Sequence, residues 1–318
     1  MVAKIFIDGE AGTTGLQIRD RLAPRRDLEI LSIPADRRKD AATRKDLLNR
    51  ADVAILCLPD DAAREAVALV ENPDTRIIDA SSAHRTAAGW AYGFPEMAPG
   101  QEAAIVAAKR VANPGCYPQG LIGLVRPLVE GGVVPANFPV SYNAVSGYSG
   151  GGRQMIESYE ADGGAAVPML PYALTCKHKH APEMARYSGL AHAPVFLPAV
   201  GAYAQGLLGQ VPLALWALPG TPSLETIHAC LADRFKDAPF VEVAPLEAIE
   251  RSAALSPEAL NGTNVLRLHV FGSNDSRQAI LVAVYDNLGK GASGAAVQCL
   301  NLMLGLNATE GLVLPKAA

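Results

Sequence analysis

Lys4-Ile5-Phe6-Ile7-Asp8-Gly9-Glu10-Ala11-Gly12-Thr13-Thr14-Gly15-Leu16 decides the architecture of this chain. A short apolar run ends in three glycines, and a helical pattern follows through Leu16, Ile18 and Leu22. That is a strand, a tight turn and a helix. The spacing Gly9-x-x-Gly12-x-x-Gly15 differs from the common G-x-G-x-x-G. It can still supply a tight turn, a close backbone approach to a pyrophosphate and a helix N-terminus aimed at it. An ordinary turn is the plain alternative.

Working outward, the same rhythm repeats. Residues 28–33 read as a second strand and 53–58 as a continuous apolar strand covered on both faces. Asp60-Asp61 is placed to cap a helix over 62–70, and 76–79 begins the next strand. Such repeats predict an α/β chain opening with a Rossmann-type doubly wound sheet. Pro59 and Ser81 follow the third and fourth strands, where loops line a cofactor crevice, although turn and cap roles suit them equally.

The segment Ser32-Ile33-Pro34-Ala35-Asp36-Arg37-Arg38-Lys39 carries an acid of the NAD type and cations of the NADP type. We read it as NADP(H), with Arg37 and Arg38 on the 2′-phosphate. A solvated charge run is the alternative.

Chemistry concentrates in the middle. Asn113-Pro114-Gly115-Cys116-Tyr117-Pro118 puts a cysteine at the mouth of a helix running to Gly131-Gly132. Unpaired N–H groups and the positive dipole end there favour thiolate, so Cys116 is the candidate nucleophile. A small buried filler is the bland reading. Cys57, Cys230 and Cys299 lie in strand- or helix-patterned segments; Cys176 is a small rival.

After a strand over 139–145, Ser146-Gly147-Tyr148-Ser149-Gly150-Gly151-Gly152-Arg153 opens a helix over 154–159 and reads as an anion cradle, or else a flexible turn. His178-Lys179-His180-Ala181-Pro182-Glu183 puts two histidines on one face of a strand. No metal spacing surrounds them, so a general acid/base fits best, with His180 preferred to His178. An exposed polar strand end is the alternative.

Between 194 and 275, strand-like runs (211–218, 265–271) and one helix, Leu224–Phe235, indicate an α+β catalytic and dimerisation domain with a broad sheet. A strand over 278–285 leads to Asp286-Asn287-Leu288-Gly289-Lys290-Gly291 and a small-residue helix over 295–304. Asn287 can reach a nicotinamide amide, while the glycines read as a cap.

Composition bounds the rest. A chain of 318 residues accommodates two domains. The expected division is 1–115, completed by a C-terminal helix over 290–318, and 116–289. A net charge of −4 with 19% charged residues leaves no basic footprint for nucleic acid. No apolar run reaches the ~20 residues of a membrane span, and no secretory segment precedes the first strand. Five cysteines without a Cys-x-x-Cys pair argue against disulfides or structural zinc and point to a reducing cytoplasm.

Taken together, Gly9-x-x-Gly12-x-x-Gly15, Asn113-Pro114-Gly115-Cys116-Tyr117, Val145-Ser146-Gly147, His178-Lys179-His180-Ala181-Pro182-Glu183 and Asp286-Asn287-Leu288-Gly289-Lys290-Gly291 resemble the N-acetyl-gamma-glutamyl-phosphate reductases. The shorter form, within the semialdehyde dehydrogenase superfamily, is the nearest match over nearly the whole chain. One departure is Thr13-Thr14, where longer members carry a Gly-x-x-Gly-Tyr-x-Gly type loop.

The resemblance implies NADPH-dependent reduction of N-acetyl-L-glutamyl 5-phosphate to the 5-semialdehyde and phosphate in arginine biosynthesis. It implies a thioester on Cys116, proton transfer by His180, and substrate contacts from Asn113, Ser146, Gly147, Arg153 and His178. It implies a homodimer or homotetramer with the site at the domain interface. Rivals are an aspartate-semialdehyde dehydrogenase-like enzyme, a non-catalytic NADP-binding regulator, and a thiol acyltransferase or hydrolase without nucleotide.

Overall fold

The computed structural model describes residues 2–38, 40–161, 167–247 and 251–314. The chain divides into two compact units, Met1–Gly115 with Ala292–Leu312, and Cys116–Gly291 with the chain from Val313 onward. Among the described residues, no helix is long and apolar enough to cross a membrane.

The first unit alternates β1 (Ala3–Asp8), α1 (Thr13–Leu22), β2 (Leu28–Leu31), α2 (Ala41–Arg50), β3 (Val53–Leu56), α3 (Asp60–Ala68), β4 (Arg76–Asp79), β5 (Ala91–Tyr92), α4 (Gln101–Ala107) and β6 (Arg110–Ala112). Its strands form one parallel sheet in the order β2-β1-β3-β4-β6-β5. The chain goes from β1 to β2 on one side and then crosses to β3 on the other. That reversal makes the carboxyl ends of β1 and β3 the topological switch point of the sheet.

Every residue of β3 is buried, and Ala54 and Leu56 join Phe6, Leu47 and Leu48 in one apolar cluster. Each large side chain so buried contributes about 1.5–3 kcal/mol. Ile33 joins that cluster although β2 stops at Leu31, two residues short of the sequence expectation. The β1 register ends at Phe6↔Leu31, so apolar burial rather than pairing holds Ile33.

Two other expectations need correction here. β3 stops at Leu56, leaving Cys57 half-buried just beyond it. Asp60 and Asp61 are the first two residues of α3 instead of its cap, because Pro59 occupies that position. The Asp60 carboxylate accepts from the Ser82 N–H and hydroxyl.

The second unit contains α5 (Cys116–Glu130), β7 (Ser141–Gly147), α6 (Arg153–Glu160), β8 (Met169–Pro171), α7 (Ala181–Ser188), β9 (Val195–Gly201), β10 (Leu207–Ala214), α8 (Leu224–Phe235), β11 (Val241–Val243), β12 (Leu266–Ser273) and β13 (Gln278–Tyr285). The seven strands make a mixed sheet in the order β11-β12-β13-β10-β7-β9-β8. β10 ends at Ala214, four residues before the expected limit, because a 3-10 turn occupies Leu215–Ala217.

α5 is buried on almost every side, as its apolar composition requires. It ends where Gly132 adopts φ +70° and Val133 N–H returns to the Leu128 carbonyl, a glycine-terminated helix end.

A π-helical turn, Gly289–Ser293, precedes α9 (Gly294–Met303), whose ten residues are all buried. The sequence reading of a simple glycine cap missed this turn. A Cβ on Gly289 would lie 2.3 Å from the Thr263 carbonyl oxygen, so backbone contact selects glycine there. The expected C-terminal helix over 290–318 ends at Met303, and 315–318 lie outside the described residues.

Candidate active site

In the first unit, Gly9 closes β1 with φ +90°, and a Cβ there would lie 2.3 Å from the Cys57 carbonyl oxygen. A Cβ on Gly15 would lie 2.4 Å from the Gly9 oxygen. Both positions therefore exclude side chains, whereas a Cβ on Gly12 meets only ordinary contact at 3.4 Å. Gly12 N–H donates to the Gly9 carbonyl, and α1 then starts at Thr13 and Thr14. Gly12 offers no side-chain cap to the first amides of α1, the groups that a helix start turns toward an anion. This tight cradle at the switch point fits the pyrophosphate of a dinucleotide.

Beside it lies a cavity of about 260 Å³ lined by Asp8, Gly9, Glu10, Arg38 and Arg44 together with Ile33, Leu58 and other apolar groups. Arg38 pairs with Glu10 at 3.3 Å. Arg44 Nη2 lies 2.8 Å from Asp8. Of the two expected arginines only Arg38 lines this cavity; Arg37 is exposed on the 3-10 turn Ala35–Arg37. Lys39 lies outside the described residues.

Sequence reasoning missed Arg44. No motif marks it, because its partner Asp8 lies 36 positions earlier and α2 brings it round. Pro59 is exposed at the head of α3. Ser81 is buried, with its N–H and hydroxyl both donating to Asp79. Its bonds are those of a turn rather than of a ligand contact. Asn113 is also buried; its Nδ2 donates to the Ala292 carbonyl, and its Oδ1 has no hydrogen-bond partner among the described residues.

In the second unit, Cys116 is the half-buried first residue of α5. The ring of Tyr117 packs against His178 and His180, with centroids 6.2 and 5.9 Å away. The two histidine rings lie 4.7 Å apart. They do not lie on a strand, contrary to expectation. His180 instead occupies the N-cap position of α7, and its backbone N–H donates to His178 Nδ1. Accepting there puts the proton of neutral His178 on Nε2. His180 is buried, with Nε2 4.0 Å from Oε1 of the equally buried Glu183.

The expected anion cradle begins later than its sequence suggests. Ser146 and Gly147 belong to β7, and a Cβ on Gly147 would lie 2.6 Å from the Ala204 oxygen. The following turn is a 3-10 turn, Tyr148–Gly151. Arg153 is exposed and pairs with Glu157 one helical turn on, at 2.7 Å, which is the plain reading of that residue. Both amide atoms of Asn287 are engaged internally: Oδ1 accepts from Gly206 N–H and Nδ2 donates to Ser149 Oγ. Its geometry is therefore that of a loop tie.

Tyr117, Tyr142, Tyr172 and Tyr285 surround the thiol electrostatically. Burial raises all four phenols, and charge on Cys116 raises each further. Tyr172 is pushed up to about 12. Elsewhere, burial and then Asp79 and Asp8 push the Cys57 thiol up to about 12, which makes it an inert thiol.

The semialdehyde dehydrogenase NAD binding domain matches residues 4–105, and the semialdehyde dehydrogenase dimerisation domain matches 116–287. The N-acetyl-gamma-glutamyl-phosphate reductase of Chelativorans sp. (strain BNC1) is 60% identical, covering 96% of this chain and 99% of its own. That of Mesorhizobium japonicum is 58% identical, covering 96% and 100%.

Aspartate semialdehyde dehydrogenase from Francisella tularensis superposes with a TM-score of 0.73 at 15% identity, covering 95% of this chain and 100% of its own. The NADP-bound enzyme from Candida albicans gives 0.67 at 14% identity, covering 96% and 99%. These two likenesses show a shared fold. The sequence relatives go further: the chain belongs to the N-acetyl-gamma-glutamyl-phosphate reductase family, an oxidoreductase family built from semialdehyde dehydrogenase domains.

Proposed function

We propose that this chain reduces N-acetyl-L-glutamyl 5-phosphate to N-acetyl-L-glutamate 5-semialdehyde and phosphate, using NADPH, in arginine biosynthesis. The observation that carries this reading is Cys116 at the first position of α5, in a family whose relatives bear that reductase name.

Cys116 thiolate attacks the acyl carbonyl, a C–S bond forms, the bond to phosphate breaks, and a thioester remains. The first amides of α5 face the oxyanion that develops. NADPH, when bound, supplies the hydride that takes the thioester to the aldehyde level. His180 donates a proton to the oxygen that becomes negative and withdraws it as the C–S bond breaks, releasing aldehyde and restoring the thiolate. Glu183 supports a cationic His180 from 4.0 Å.

On the nucleotide side, the Gly9–Gly15 cradle takes the pyrophosphate and Arg38, with Arg44 beside it, takes the 2′-phosphate. The first unit serves as the nucleotide-binding domain and the second as the catalytic and dimerisation domain. We read the working protein as a cytoplasmic homo-oligomer. Exposed Val195, Leu197 and Ile280 on the open sheet offer an apolar face for a second copy, and none of the five cysteines is in a disulfide.

Phosphate-dependent NADP⁺ reduction with N-acetylglutamate semialdehyde, run beside aspartate semialdehyde, tests the proposal. Activity with the first substrate alone is expected. Activity only with the second, or silence with both on protein that binds NADPH, overturns it. Cys116→Ser is expected to abolish turnover and spare NADPH binding.

A further inference from the structure

We propose that Tyr285 is a positioning residue for Cys116, its buried hydroxyl clamping the first turn of α5 from the end of β13. The inference rests on Cys116 being the nucleophile, as read above.

In an α-helix the N–H of residue 120 is the natural donor to the carbonyl of residue 116. Here the Tyr285 hydroxyl touches both ends of that pair. Gly120 N–H donates to Tyr285 Oη at 3.2 Å, and the hydroxyl donates onward to the Cys116 carbonyl oxygen at 2.6 Å. A phenol has one proton, so the short bond to Cys116 takes it and the Tyr117 carbonyl, at 3.3 Å, does not. Tyr142 serves that second carbonyl, with its own hydroxyl 3.2 Å from the Tyr117 oxygen.

Three features make this arrangement specific. Tyr285 and Tyr142 are both fully buried, so their hydroxyls must be satisfied inside the protein. Gly120 has no room for a side chain: a Cβ would lie 2.7 Å from Tyr142 Oη and 2.9 Å from Tyr285 Oη. A Cβ on Gly209, in β10, would lie 2.1 Å from Tyr142 Oη. Two glycines on different elements thus open the space that the two hydroxyls fill.

The consequence falls on the nucleophile. Fixing the Cys116 carbonyl fixes the peptide plane that follows it, and so the backbone from which the thiol projects. Misplacement of a reacting group by about 1 Å costs on the order of 100-fold in rate. The thiol also sits at the positive end of α5, so a loosened first turn weakens the helix field that favours thiolate. Burial raises the Tyr285 phenol far above its ordinary value, so it remains a donor throughout the working range. Tyr117, next to the thiol in the chain, faces His178 and His180, with Glu183 4.0 Å from His180, while Tyr142 and Tyr172 feel the charge of Cys116.

The test is Tyr285→Phe in the full chain, with kcat, KM and the pH profile of Cys116 alkylation by iodoacetamide, followed by mass spectrometry. The expected result is a kcat at least tenfold lower, KM for the acyl substrate within twofold, and an alkylation midpoint moved to higher pH. General loosening of the fold lowers the folded fraction but leaves that midpoint in place, so a fall in kcat without a shifted midpoint overturns the proposal. An unchanged kcat overturns it too.

A fluorinated tyrosine at position 285 is a stronger donor of nearly the same shape, and it keeps the test open should the phenylalanine variant not fold. It is expected to lower the midpoint, and an unmoved midpoint counts against the clamp. Stoichiometric alkylation of Cys116 that spares turnover would instead remove Cys116 as nucleophile, a failure of the earlier reading that the Tyr285 variants do not mimic.

Discussion

Asp8, the last residue of β1, holds Arg44 of α2 through a single carboxylate oxygen, with Nη2 at 2.8 Å and Nε at 3.1 Å. Both side chains are largely buried, 6% and 13% exposed. Removing one partner of such a pair strands the other charge, at a cost of about 3 kcal/mol. Arg44→Met is therefore expected to lower the unfolding free energy by about that amount in urea titration. Asp8→Asn in the same chain should recover most of the loss. A double variant as unstable as the sum of the singles would show that the two do not act as a pair.

Arg38 is the more exposed cation of the cavity and is paired with Glu10. A charge-assisted bond to a phosphate contributes about 1.5–3 kcal/mol. Arg38→Ala should raise KM for NADPH roughly 10- to 100-fold while leaving KM for NADH nearly unchanged. Equal effects on both nucleotides would remove Arg38 from the 2′-phosphate.

The glycines of the cradle separate folding from binding. Gly9→Ala places a methyl 2.3 Å from the Cys57 oxygen at φ +90°, so it should destabilise the protein before any nucleotide is added. Gly12→Ala meets nothing closer than 3.4 Å. Its melting temperature without nucleotide should match the parent, yet NADPH should bind at least tenfold more weakly if a pyrophosphate approaches that backbone. Normal binding by Gly12→Ala would move the pyrophosphate elsewhere.

His269, on β12, is buried and stacked on Phe271, and its Nε2 has no hydrogen-bond partner among the described residues. Burial, with Arg267 adding to it, lowers its pKa to about 4. The unfolded chain takes up this proton near pH 6.5 and the folded chain only near 4. Stability is therefore complete above about pH 6.5 and falls through the window down to 4, by about 3 kcal/mol. His269→Gln should flatten that part of the stability–pH curve measured by denaturant titration. An unchanged slope would assign the acid sensitivity to other groups.

Local order and long-range contact explain what was legible. The parallel sheet could be read because β1 and β3 announce themselves as short apolar runs next to glycine- or proline-marked turns. Cys116 was legible for the same reason: proline, glycine and an apolar helix lie within a few residues of it. Three of its four tyrosines were not, since Tyr142, Tyr172 and Tyr285 come from β7, the segment after β8, and β13. The histidine pair was legible as chemistry but misplaced as a strand. Pro182 and Glu183 in fact open a helix, and that puts His180 at its cap.

By itself, the order of residues determined the alternation of strand and helix, the glycine cradle, the thiol at a helix start and the family to which the chain belongs. Each of these depends on neighbours a few bonds apart, where chain geometry leaves few choices. Only the tertiary structure decided that Arg44 rather than Arg37 lines the cavity beside Gly9, and that a hydroxyl 169 residues away bonds the Cys116 carbonyl. Those contacts depend on strand register and on which face a helix buries, quantities set by the packing of the whole unit and encoded in no short stretch of it.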